Sequence, residues 1–93
     1  MTGDLKQRIE RAAEALKAAG AKEVFLFGSA ATDRLGEESD VDLAVSGLPP
    51  QRYLEALGAA IDILERPVDL VDLDQDTPFS QHLKQEGELV RVG

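Results

Sequence analysis

Three short apolar runs, at residues 24–27, 41–45 and 68–73, are separated by stretches whose apolar residues recur at helical spacing. That alternation restricts the chain more than any single motif does, because strands and helices taken in turn assemble into layered α/β structures. After the second run, Pro49 and Pro50 forbid further strand pairing, and residues 51–64 carry Tyr53, Leu54, Leu57, Ala60, Ile61 and Leu64 at helical intervals. Pro67 ends that helix, in which Gly58 is a mild weakness. A connection of this length returns the third strand parallel to the second.

The remaining chain fits the same plan. Leu5, Ile9, Ala12, Ala13, Leu16 and Ala19 form one face of an amphipathic helix over residues 4–19, and Gly20 is its stop signal. A short helix is expected over residues 30–34 before a polar loop at 35–39, and another over residues 78–86. Residues 88–92 either add a small strand or lie against the body. Neither repeat nor linker interrupts the pattern, so residues 1–93 read as a single small α/β domain.

An apolar share of 43% permits an ordinary core, and an aromatic share of 4% makes that core aliphatic. No apolar run approaches the roughly 20 residues that span a bilayer, and the first helix pattern is polar, which predicts a cytoplasmic protein without a membrane anchor. With no cysteine, a bound metal falls to oxygen ligands or to His82, which favours hard cations such as Mg²⁺ or Mn²⁺. A formal charge of -8 repels polyanions and argues against direct nucleic-acid binding; it suits a basic protein partner, although surplus acid more often serves solubility alone.

Asp40 and Asp42 stand at i and i+2, so in a strand their side chains leave one face with Cα atoms about 6.5–7 Å apart. Asp69 lies near the start of the third run, where a parallel neighbour would carry it toward them. Three carboxylates that converge repel one another unless a cation intervenes. Mg²⁺ is held by a few carboxylates plus substrate phosphates, so the set implies a phosphorylated ligand. Gly28 and Ser29, directly after the first strand, supply a close backbone approach and a hydroxyl donor for such a phosphate.

Gly28-Ser29, ten intervening residues and then Asp40-Val41-Asp42 form a spaced motif, followed at a distance by Val68-Asp69-Leu70-Val71. This combination resembles the signature of the DNA polymerase beta nucleotidyltransferase superfamily in its minimal nucleotidyltransferase branch. Residues 83–87 are similar to that branch's usual ending. The resemblance, over residues 24–92, implies a polymerase beta palm-like fold, a small mixed sheet with helices mainly on one face. It implies that Asp40, Asp42 and Asp69 ligate Mg²⁺ or Mn²⁺, with Asp69 helping to activate the acceptor, and that Gly28, Ser29 and Arg34 hold the phosphates of ATP. It also implies transfer of AMP to a hydroxyl, a tyrosine of a helical HEPN toxin, with this chain as antitoxin. Many relatives carry a basic residue and a glycine where this chain has Thr32 and Asp33, so Arg34 is the cation left to offset Asp33. A non-catalytic module that neutralises its toxin by covering it is the alternative.

Several residues have plainer readings. Asp72 rivals Asp69 but lies on the opposite face of the same strand. Asp72, Asp74 and Asp76 resemble the start of a calcium loop, yet Thr77 replaces its glycine and Leu83 its final glutamate, which excludes that site. His82 is expected to be solvated, Tyr53 to pack, Ser39 to cap its loop, and Glu37 and Glu38 to sit in solvent.

Overall fold

A computed structural model of the chain describes residues 3–28, 40–86 and 89–92. Its elements are α1 (Gly3–Ala18), β1 (Glu23–Leu26), β2 (Val41–Ser46), a 3-10 turn (Pro50–Arg52), α2 (Tyr53–Leu64), β3 (Val68–Asp72), α3 (Pro78–Glu86) and β4 (Val90–Val92). The four strands form one sheet in the order β3-β2-β1-β4. β2 runs antiparallel to β1 and parallel to β3, as the helix-length connection through α2 requires. The end of the chain, open between two readings in the sequence, pairs antiparallel with β1 through Val90 to Val92. The helix expected over residues 30–34 and the loop over 35–39 lie outside the described residues.

The main core fills one face of the sheet. Val24, Leu26, Val41, Leu43, Val45 and Leu70 point to it, and α1 and α2 close over them with Ile9, Leu16, Ala56, Ala60 and Leu64. Val41, Leu43, Ala44 and Val45 are fully buried, because β2 is central and covered on both sides. Burial of Leu16, Leu43 or Leu64 is worth about 1.5–3 kcal/mol each. A second, smaller cluster on the opposite face joins Phe27, Ala44 and Leu73 to Leu83 of α3. Two helices thus share one face and the third covers part of the other.

Local chemistry sets the helix ends. α1 closes with Ala21 N–H donating to Leu16 O at 3.1 Å and Gly20 N–H to Lys17 O at 3.0 Å. This is a Schellman ending around Gly20 at φ 122°, where a Cβ would stand 2.7 Å from Pro49 Cδ. α2 ends at Glu65 in the left-handed region, φ 55°, just before Pro67. Glu65 also pairs with Arg8 of α1, which ties the two helices together at their edge. α3 begins at Thr77, whose Oγ1 accepts from Ser80 N–H at 3.1 Å, with Pro78 at the first helical position.

The residues given plainer readings behave accordingly where they are described. Tyr53 packs against the core and its hydroxyl donates to Leu70 O. His82 is exposed on α3. Asp74 accepts from Gly47 N–H at 2.6 Å, Asp72 Oδ1 accepts from Asp74 N–H at 2.9 Å, and Asp76 accepts from the Gln81 amide. These three carboxylates hold the turn between β3 and α3. Ser39, Glu37 and Glu38 lie outside the described residues.

Candidate functional site

The parallel pairing of β2 with β3 sets Asp42 directly opposite Asp69. Neighbouring strands lie about 4.8 Å apart and partners in register point to one side, so the two carboxylates share a face. That face is opposite α1 and α2, since Leu43 and Leu70, one step along each strand, enter the main core. Asp40 precedes β2 by one residue and is exposed, as is Asp69, while Asp42 is half-buried. Asp72 pairs with Val45 on the helix face and is buried. The two faces thus separate Asp69 from Asp72.

Gly28 completes this end of the sheet. Its φ is 60°, and a Cβ built on it would stand 2.5 Å from Asp42 Oδ2. Only a glycine allows that backbone to lie against that carboxylate. In the sequence the residue reads as an opening for a ligand's phosphate; the described structure shows that its first effect is to make room for Asp42. Phe27 N–H donates to Asp42 O at 3.1 Å, which fixes the turn to β2.

The electrostatics agree with the geometry. Burial pushes the Asp42 carboxyl above the usual carboxylate range, and the charges of Asp69 and then Asp40 push it further in the same direction. Tyr53, under the same sheet edge, has its phenol raised by burial first and then by Asp69 and Asp72. Ser29 and Arg34, and with them Thr32 and Asp33, lie outside the described residues.

Residues 9–91 match the sequence profile of the family described as "Polymerase beta, Nucleotidyltransferase". The chain belongs to the polymerase beta nucleotidyltransferase family. A solved structure described as "Crystal structure of the toxin-antitoxin with AMP-PNP" resembles this nucleotidyltransferase domain with a TM-score of 0.61 and 26% sequence identity. The match covers 77% of this chain and 60% of that one, so the domain spans less than two thirds of that neighbour's length. No curated protein sequence matches it significantly.

Whether the nucleotidyltransferase domain's residues suit a divalent cation is a question of donor chemistry. Asp42 and Asp69 are hard oxygen donors in register, and the Cβ-free surface of Gly28 leaves Asp42 Oδ2 closely flanked by backbone. Among the described residues, no three acidic or histidine side chains close to a metal-holding group. The pair fits a cation that takes most of its ligands from substrate and water, which is how Mg²⁺ is commonly bound. It does not fit a cage built from protein alone. Sequence reasoning missed the contact of Phe79 with Phe27, which belongs to the cluster on the carboxylate face; an isolated Phe early in a helix carries no motif that would mark it.

Proposed function

We propose that this domain transfers a nucleotidyl group, AMP from ATP, to a hydroxyl on a partner protein, and that it serves as an antitoxin. The observation that carries the reading is the register pair Asp42 and Asp69 with Gly28 pressed against Asp42. Family membership supports the reaction class, and the fold neighbour crystallised as a toxin-antitoxin with AMP-PNP supports the biological setting.

In this reading Asp42 and Asp69, joined by Asp40 when cation and substrate are bound, would hold Mg²⁺ or Mn²⁺, and Gly28, Ser29 and Arg34 would hold the phosphates. The bound cation supplies charge neutralisation on the polyphosphate and favours loss of the acceptor proton. Asp69, exposed at the rim, orients the acceptor hydroxyl and draws off its proton. Asp42, half-buried, fixes the ligand oxygens against the Gly28 turn. The acceptor oxygen bonds to the α-phosphorus as the bond to pyrophosphate breaks, so each AMP transferred releases one pyrophosphate.

The acceptor is assigned to a tyrosine of a basic, helical HEPN toxin. Two features favour a protein partner: the net charge of -8, and the exposed Leu54 and Ile61 on α2. The same two features favour the second reading, neutralisation by binding alone. Incubation with α-labelled ATP, Mg²⁺ and the toxin partner separates them. Label on a partner tyrosine, lost with Asp42→Ala, supports transfer; no label, together with full neutralisation by the Asp40 and Asp42 double alanine variant, supports covering alone.

A further inference from the structure

We propose that Phe79 is the platform on which the base of the bound nucleotide stacks. This inference rests on the nucleotidyltransferase reading and extends it to the part of the ligand that carboxylates and phosphate turn leave unaddressed. Phe79 is 48% exposed although the chain has only three Phe residues, and the other two are buried or half-buried. The ring is not loosely placed. It meets Phe27 edge-on, with centroids 5.9 Å apart and planes at 65°.

Phe27 is 6% exposed and links the ring to the site. It directly precedes Gly28, its N–H donates to Asp42 O at 3.1 Å, and it belongs to the cluster on the carboxylate face. Phe79 therefore lies about two side-chain rows from the Asp42 carboxylate, on the order of 10 Å given the spacing of neighbouring strands. That separation is comparable with the reach from the phosphates of a nucleotide to its base.

The helix beneath holds the ring in place. Leu83, one turn on, is buried among Phe27, Ala44 and Leu73. Ser80, fully buried, donates through Oγ to Gln75 O at 2.5 Å, and its N–H is capped by Thr77. α3 is thus anchored on both sides of Phe79 while the ring's outer surface stays open. A fixed aromatic face beside a phosphate site is what a base needs, and stacking of this kind tolerates any base because every base has a π-face.

The test compares binding of Mg²⁺-ATP and of Mg²⁺ with inorganic tripolyphosphate by calorimetry. Wild type is expected to bind ATP about tenfold or more tighter than tripolyphosphate. Phe79→Leu, which keeps the apolar contact with Phe27 but has no π-face, should lose about tenfold in ATP affinity and leave tripolyphosphate unchanged. Phe79→Trp should restore the preference for ATP. Retention of the preference in Phe79→Leu would overturn the inference while leaving the phosphate and metal reading intact. An equal loss for both ligands would mark Phe79 as structural and overturn it too. Binding of neither ligand by wild type would remove the nucleotidyltransferase reading and this inference with it.

Discussion

At the scale of single residues, the role proposed for Asp42 sets stability against function. Its carboxyl titrates above the usual range because burial, Asp69 and Asp40 all disfavour its charge. The folded state therefore binds this proton more tightly than the unfolded chain does, and stability falls as pH rises from the model-compound value of 3.8 through the raised folded value. At neutral pH the ionised carboxylate costs stability unless a cation offsets it. Asp42→Asn should therefore raise the thermal midpoint of metal-free protein at pH 7.5, by on the order of a few degrees, while removing the proposed transfer. Melting curves in chelator check the first half; an unchanged or lower midpoint would contradict the electrostatic argument. Gly28→Ala carries the opposite expectation, a loss of about 1–3 kcal/mol, because φ 60° strains an L residue and the new Cβ would meet Asp42 Oδ2 at 2.5 Å. Urea denaturation measures that loss.

At the scale of elements, α2 runs from Tyr53 to Leu64 through Gly58 because tertiary burial of Ala56, Ala60 and Leu64 compensates for that glycine. A Cβ at Gly58 meets nothing within 4 Å, so Gly58→Ala should stabilise the domain by about 0.5–1 kcal/mol, visible as a higher thermal midpoint. A lower midpoint would show that the glycine answers a packing need. The helices and the three main strands were legible because their apolar periodicities are long or bounded by glycine and proline, as at Gly20, Pro50 and Pro67. The parallel setting of β3 followed from the length of the α2 connection. β4 was legible only as one of two readings, since three residues at a sheet edge carry too little alternation to separate a strand from a tail. The Asp42 and Asp69 pair was readable through spacing and face. The contact of Gly28 with Asp42 was not, because a glycine after a strand gives no sign of which side chain it accommodates.

At the scale of the whole molecule, α1 and α2 back one face of the sheet, and the opposite face carries the Asp42 and Asp69 carboxylates together with the cluster that joins α3 to the strands. Among the described residues no helix is long and apolar enough to cross a membrane. A ligand that binds only the folded state stabilises it by mass action, about 2.7 kcal/mol at a hundredfold excess over Kd. Mg²⁺ with a non-hydrolysable ATP analogue should therefore raise the thermal midpoint of wild type and leave that of Asp42→Asn unchanged. Asp74 and Asp76, exposed on the turn before α3, are the control for a cation attracted by acidic charge alone. Backbone NMR with substoichiometric Mn²⁺ and the ATP analogue reads the cation's position directly. The account predicts selective broadening of Gly28, Asp42 and Asp69, whereas broadening centred on Asp74 and Asp76, with Asp42 and Asp69 unaffected, would contradict it.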